Sequence, residues 1–269
     1  SAYSGSYNFS TTQKQNALLA LQAWGNVANI TFTERLFASG DIDFGFGDLS
    51  REGSSVQGIT YATLANDRIT HAEIVIDDSM NNNFSVGSRG FTVLLHEIGH
   101  ALGMKHPFEG ANQLSGVYDT LDFTLMSYFD GIYTANSNPS SPQLGDVKAI
   151  QYLYGENNSY ESSFSGYTMQ DSTPSTALTY TLWDGGGRDY LDGSDNNTAI
   201  RIDLRAGLEY INVVGNDTFW VADGADIETA YGGTGNDKIN AGGGNNSILG
   251  GDGNDTITTI GSGQNTLIG

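Results

Sequence analysis

Two glycine-rich nonamers constrain the fold of this chain most. Residues 232–240 read GGTGNDKIN and residues 250–258 read GGDGNDTIT, with AGGGNNSIL between them. A nine-residue period, six residues suited to a tight turn and three to a short strand, is the pattern of a parallel β-roll. Glycines permit the backbone of the turn, and aspartates and carbonyls can face a cation. An aliphatic residue in each short strand, Ile239, Leu249 and Ile257, is expected to point inward. A disordered tail needs no aliphatic residue at every ninth place. The turns expected to hold calcium contribute Gly232, Gly235 and Asp237, then Gly250, Gly253 and Asp255. Each unit is half a coil, so turns on one edge come from every second unit. Residues 232–237 should stack under 250–255, and 241–246 under 260–265. The first edge pairs two aspartates. The second pairs Asn246 with Asn265, and an extra residue near Thr259 breaks the period, so calcium should bind there more weakly. Upstream, DGGGRDYLD over 184–192 is a degenerate copy of the same turn.

The second constraint lies at 91–107, FTVLLHEIGHALGMKHP, where His96, Glu97, His100, Gly103 and His106 spell HExxHxxGxxH. On a helix His96 and His100 sit one turn apart on one face, so two imidazoles can converge on one cation. Gly103 lies where a residue free to take positive φ can end the helix and swing the chain back, delivering a third imidazole from His106. Three nitrogen ligands suit zinc, with a position left open for water. Glu97 points to another angle of the helix, which suits a base acting on that water. The constellation reads as metal-assisted peptide hydrolysis. Only four histidines occur in the chain, and three fall in this motif. The fourth, His71, reads as a strand residue without metal duty.

Eleven basic against thirty-one acidic residues give a net charge of −20. Such a field repels nucleic acid and anionic membranes and favours calcium. With no cysteine in the chain, disulfides and thiolate ligands are excluded, and metals would have to supply the staples. No apolar run reaches membrane-spanning length, and the start SAYSGSYNF lacks the charged and apolar regions of a classical signal peptide. The chain opens on Ser1 and stops at Gly269 inside a repeat, which reads as a shortened chain or as one piece of a larger surface protein.

Along the chain, Ala17, Leu18, Leu21 and Trp24 recur at helical spacing over 13–27, after the hydroxyl residues Ser10, Thr11 and Thr12. Residues 30–36, 41–46 and 71–76 alternate apolar and polar residues, and 58–64 reads as a further strand. A last helix is expected over 144–154, closed by Gly155.

The eleven-residue motif followed by Leu125-Met126-Ser127-Tyr128 resembles the metzincin zinc proteases with their Met-turn. HEIGHALGMKHP, LMSYF and QLGDVKAIQYLYG are similar to the serralysin family in particular, secreted bacterial metalloproteases with a calcium-binding β-roll of the RTX type. The likeness spans nearly the whole chain. It implies that Met126 forms an apolar floor beneath one catalytic zinc. It also implies that Tyr128 is an extra phenolate ligand that swings away to bond the reaction oxyanion. It further implies calcium at Asp184, Gly186, Gly187 and Asp189, with Glu228 completing the site; Asp226 stands where the family commonly has Thr. The strand at 58–64 would lie at the sheet edge above the cleft, where it can pair with extended substrate backbone and so accept many sequences.

The fold expected is an α+β metzincin catalytic domain over 1–155, a twisted sheet with two or three helices and a zinc cleft. An all-β parallel β-roll follows over 156–269. The function expected is a secreted, extracellular zinc endopeptidase of broad specificity, with several structural calcium ions. The resemblance implies export by a one-step route that uses a C-terminal signal. The expected partners are protein or peptide substrates and a proteinaceous inhibitor. The chain is expected to be a monomer that neither binds nucleic acid nor inserts into membranes. The competing reading is a calcium-dependent adhesin that keeps the protease fold without cutting, against which the intact Glu97 argues.

Overall fold

The computed structural model describes residues 9–35, 40–80, 83–170, 172–173 and 176–269. Helix α1 (Thr11–Val27) begins in a capping box. Ser10 Oγ accepts from the Gln13 amide at 3.3 Å, and Gln13 Oε1 accepts from the Ser10 amide at 2.8 Å. Its inner face buries Ala17, Ala20, Leu21 and Trp24. Trp24 lies against the metal-motif helix and donates its indole N–H to the Leu95 carbonyl at 3.1 Å.

Strands β1 (Ile42–Gly47), β2 (Gly58–Ala65) and β3 (Arg68–Asp77) form a sheet in the order β1-β3-β2. β1 runs parallel to β3, and β2 returns antiparallel to it. Asn66 and Asp67, at φ 52° and 59°, make the tight turn of the β2–β3 hairpin, residues that tolerate the left-handed region. β2 is therefore an edge of this sheet among the described residues. His71 sits in β3 with its Nδ1 3.0 Å from the Gly40 carbonyl.

The strand expected over 30–36 is not formed at 30–35, and Leu36 lies outside the described residues. Its apolar residues Ile30 and Phe32 pack on the core without joining a ladder. The backbone just before them is already engaged, since the Asn29 amide donates to the Gly155 carbonyl and Ala28 bridges to Glu156.

Helix α2 (Arg89–Ala101) is capped by Ser88, whose Oγ accepts from the Phe91 amide at 3.2 Å. It ends at Gly103, φ 98°, where the Gly103 amide bonds the His100 carbonyl and the Met104 amide bonds the Gly99 carbonyl, both at 3.0 Å. These two bonds are a Schellman closure, and only a residue free at positive φ makes it without strain. Helix α3 (Leu144–Tyr154) stops at Gly155, φ 84°.

Beyond α3 the chain is built of short strands in two sheets, the first of which is joined by one strand from before α3, β4 (Asn138–Pro139). One runs β14 (Thr256–Thr258), β12 (Lys238–Asn240), β8 (Arg201–Asp203), β9 (Ile211–Val214), β10 (Asp217–Val221), β6 (Leu178–Leu182), β4. The other runs β15 (Thr266–Ile268), β13 (Ser247–Leu249), β11 (Thr229–Tyr231), β7 (Tyr190–Asp192), β5 (Gly166–Thr168). Strands of the repeats alternate between the sheets and pair in parallel with every second repeat. The middle residue of each strand faces inward: Ile202, Ile239 and Ile257 align on one sheet, and Leu191, Ala230 and Ile248 on the other. Ile239 and Ile248 are buried, whereas Leu249 is exposed. The inward residue of the middle repeat is thus Ile248, not Leu249, because alternation turns the last residue of a three-residue strand outward. Trp183, Ile211, Trp220 and Ala222 join the cluster built by α1, α2 and β3, whereas Leu191, Ile202, Ala230, Ile239 and Ile248 form a second cluster inside the roll.

Candidate metal centre

Three imidazoles meet where α2 turns into the loop after it. His100 Nε2 lies 3.1 Å from His96 Nε2 and 3.1 Å from His106 Nε2. Each ring uses its other nitrogen elsewhere. Nδ1 of His96 is 2.7 Å from the Leu125 carbonyl, that of His100 is 3.0 Å from the Met104 carbonyl, and that of His106 is 2.8 Å from Glu109 Oε1. All three partners are acceptors, so Nδ1 carries the proton in each ring and three Nε2 lone pairs converge. Lone pairs packed this closely repel one another, and a cation between them removes the repulsion. Burial, followed by the nearby His100, pushes His96 down to about 3, and burial also lowers His100. Both rings are therefore neutral, as a metal requires. Among the described residues this is the one group of three or more His, Cys, Asp or Glu residues whose ligand atoms all lie within 4.8 Å of one another. A soft-to-borderline cation of tetrahedral preference, zinc above all, fits three imidazole nitrogens.

Glu97 is on the same helix, buried, with its carboxylate toward β2. Thr60 Oγ1 donates to Glu97 Oε2 at 2.7 Å and to the Glu97 carbonyl at 2.9 Å. Burial pushes the Glu97 carboxyl up to about 7, and the Thr60 bond opposes the rise. A carboxyl poised near neutrality can take and return a proton. Gly58 shares the inner face of β2 with Thr60, and a Cβ there would stand 2.8 Å from Glu97 Oε1. Glycine at that place lets the edge strand lie directly over the base.

Tyr128 closes the other side. Its hydroxyl is 2.7 Å from His106 Nε2, its ring stacks on His96 at 5.7 Å, and burial raises its phenol. Phe108 stacks on His106 with centroids 4.9 Å apart. Met126 is buried beneath α2, and a Cβ on Gly99 would meet its sulfur at 2.7 Å. The turn carrying Met126 is pinned by Asp146 of α3. That carboxylate accepts from Thr124 Oγ1 at 2.6 Å, from the Leu125 amide at 2.7 Å and from the Gln143 amide at 2.8 Å. Leu125 in turn presents the carbonyl that orients His96.

A second cluster lies in the roll. Asp184 accepts from the Gly186 amide at 2.7 Å and from the Tyr167 hydroxyl at 2.6 Å. Asp189 Oδ1 accepts from the Ser165 amide, and the Asp189 amide donates to Glu228 Oε2, both at 2.8 Å. Asp189 Oδ2 is buried without a hydrogen-bond partner. Burial, then the charges of Asp184 and Glu228, push Asp189 up to about 6. A carboxylate oxygen in that position fits a hard cation with oxygen ligands. Gly186 and Gly187, at φ 112° and 146°, shape the turn, and a Cβ on Gly187 would fall 1.9 Å from the Ser163 carbonyl. On the edge of the later repeats, the Asp237 amide donates to Asp255 Oδ1 at 2.9 Å, and Asp255 Oδ2 has no partner.

Residues 3–155 match the model of the matrixin family, and residues 145–268 match that of the M10 serralysin C-terminal region. The chain belongs to the serralysin family of metallopeptidases. It is 35% identical over 267 residues to metallopeptidase AprA of Pseudomonas marginalis, covering 88% of this chain and 55% of that protein. It is 32% identical over 265 residues to a serralysin of Photorhabdus laumondii, covering 86% of this chain and 53% of the relative. Against serralysin C of Dickeya chrysanthemi the identity is 33% over 280 residues, covering 87% and 54%. The chain thus spans about half the length of the curated relatives it matches. The likeness to the serralysins runs through both the α+β region and the parallel-stranded region, in agreement with the fold class expected.

Thr60, Phe108, Glu109 and Asp146 were not foreseen as parts of the site. Glu109 carries a weak sequence signal, standing three residues after His106. Asp146 stands at the third position of a helix, where a carboxylate commonly caps. Thr60 has no signal of its own beyond alternation with Gly58.

Proposed function

We propose that this serralysin-family chain is a zinc endopeptidase. The observation that carries the reading is the set of three Nε2 atoms freed by Nδ1–H bonds to Leu125, Met104 and Glu109. Zinc held by His96, His100 and His106 would supply a Lewis acid for the scissile carbonyl and make water acidic enough to be deprotonated near neutral pH. Glu97 takes the proton from the attacking water and passes it to the leaving amine. Its raised affinity for a proton and the Thr60 bond support that role. Tyr128 would serve as a fourth protein ligand to the zinc and, swung away, would donate its phenol O–H to the reacting oxygen; the hydroxyl's place beside His106 and the exposure of the residue support this. Met126 is a packing floor. The open edge of β2 takes extended substrate backbone by strand addition, which reads main chain and gives broad specificity.

Residues 1–155 form the catalytic unit and 156–269 the β-roll, a division supported by the end of α3 at Tyr154 and the start of short-strand architecture after it. Calcium would bind at Asp184, Gly186, Gly187, Asp189 and Glu228, and between the turns that carry Gly232, Gly235, Asp237, Gly250, Gly253 and Asp255. The partnerless oxygens of Asp189 and Asp255 support this. Calcium would then link folding of the roll to a calcium-rich exterior, consistent with a secreted monomer that a proteinaceous inhibitor could block. No helix among the described residues is long and apolar enough to cross a membrane.

The test is cleavage of casein by the calcium-loaded chain with and without a zinc-selective chelator. Cleavage lost on chelation and restored by zinc is expected. A chain that holds zinc, never cleaves, and adheres to surfaces in a calcium-dependent way would instead be the adhesin.

A further inference from the structure

We infer that the roll has one calcium edge and one amide edge: between 241–246 and 260–265 the side-chain amide of Asn246 takes the place of a cation, and no calcium binds. The inference rests on the calcium reading of the roll and deepens it.

The two edges differ in which way the key side chain bonds. At the aspartate edge, Asp237 Oδ2 accepts from the Gly233 amide at 2.7 Å, and Asp237 Oδ1 accepts from the Ile200 amide at 3.0 Å. A carboxylate can only accept, so the backbone carbonyls of that turn receive nothing from it. At the other edge the pattern inverts. Asn246 Nδ2 donates to the Gly243 carbonyl at 3.0 Å and to Asn265 Oδ1 at 3.3 Å. The Asn246 amide N–H donates to the same Asn265 oxygen at 2.9 Å. The neighbouring pair is alike at the two edges, the Gln264 amide donating to Asn245 Oδ1 at 2.8 Å as the Asn254 amide donates to Asn236 Oδ1 at 2.9 Å, so the inversion lies in Asn246 Nδ2. Two acceptors face Nδ2, which settles the orientation of the amide.

A calcium ion at this edge would need the Gly243 carbonyl and the Asn265 oxygen, which Asn246 already occupies. To admit it, a side chain only 4% exposed must break both bonds and rotate within a packed turn. In return the ion would meet neutral oxygens only. The aspartate edge offers two carboxylates, and ligand charge is what tunes calcium affinity over orders of magnitude. Register adds to the mismatch. Asp237 meets Asp255 eighteen residues on, whereas Asn246 meets Asn265 nineteen residues on. The same amide closure recurs in the turn at 193–196. There Asn196 Nδ2 donates to the Gly193 carbonyl, again three residues back, at 2.9 Å, and to the Met169 carbonyl at 2.8 Å. An amide bonded to the carbonyl three residues earlier is thus a device this chain uses twice.

Calorimetric calcium titration of the full chain, wild type against the double variant Asn246→Asp with Asn265→Asp, tests the inference. The variant should bind one more calcium ion than the wild type. An equal count would overturn the inference. If the wild type binds no calcium at all, the calcium reading of the roll fails. In that case a variant that gains one ion still supports the amide edge, and one that gains none sinks it. Should the variant not fold, the wild type decides through the side-chain amide protons of Asn246 in nitrogen-15 spectra. They should stay unshifted and slow to exchange when calcium is added to chelator-treated protein. Loss of their protection on adding calcium would show an ion in their place.

Discussion

Replacing Asp146 by asparagine separates two effects of a buried carboxylate on the turn beneath the metal site. Asp146 is wholly buried, and burial pushes it up to about 6 from an ordinary 3.8 despite three hydrogen bonds. The native state therefore binds this proton more tightly than the unfolded chain does. The contribution of Asp146 to stability is greatest below pH ~4 and falls as pH rises toward ~6, the reverse of a salt-bridged aspartate. A rise of roughly two units corresponds to about 3 kcal/mol. The asparagine has no proton to lose. It can turn Oδ1 to the Leu125 and Gln143 amides and Nδ2 to Thr124, leaving the Thr124 hydroxyl proton without its acceptor, a loss of about 1 kcal/mol. The variant should thus be less stable than the wild type by about 1 kcal/mol at pH 4 and more stable by about 2 kcal/mol at pH 7. Urea unfolding of both proteins in matched buffers from pH 4 to 7, with saturating zinc and calcium, measures the difference while contributions common to both cancel. A difference that stays flat, or that moves in the wild type's favour as pH rises, would refute the reasoning.

Tyr128→Phe should lower kcat by roughly 10–100-fold with little change in KM and no loss of zinc, if the phenol acts in the transition state; an unchanged kcat would reduce Tyr128 to packing. Gly58→Ala would place a Cβ 2.8 Å from Glu97 Cγ and Oε1. Casein cleavage should then fall at least ~10-fold with zinc retained, and full activity would free Glu97 from its contact with the edge strand. Asp189→Asn removes one charge from the Asp184 and Glu228 cluster. Calcium titration should show that site weakened at least ~10-fold, while an unaltered affinity would remove Asp189 from the ligands.

The parts of the molecule legible in the sequence are those specified by local spacing. His96 and His100 share a helix face by their four-residue offset, and the closure at Gly103 that delivers His106 follows from one residue's freedom at positive φ. The parallel roll follows from its period. Alternation was a poorer guide: Ile30 and Phe32 satisfy it by packing on the core, while the backbone nearby bonds Gly155. The period also put Leu249 inward, where alternation within a three-residue strand buries Ile248 and turns Leu249 out. The partners of Glu97 and of the Leu125 turn were invisible because they arrive from afar. Thr60 is 37 residues from Glu97, and Asp146 is 21 from Leu125. Nothing short of the folded chain brings them together.

The most direct test of the zinc-peptidase account is native mass spectrometry of wild type and Glu97→Gln, each paired with an assay of casein cleavage. Both proteins should carry one zinc per chain, since the three imidazoles are untouched, and cleavage by the variant should fall at least ~10²-fold, as removal of a general base requires. A wild-type chain that binds no zinc, or a zinc-loaded variant that cleaves at the wild-type rate, would contradict it.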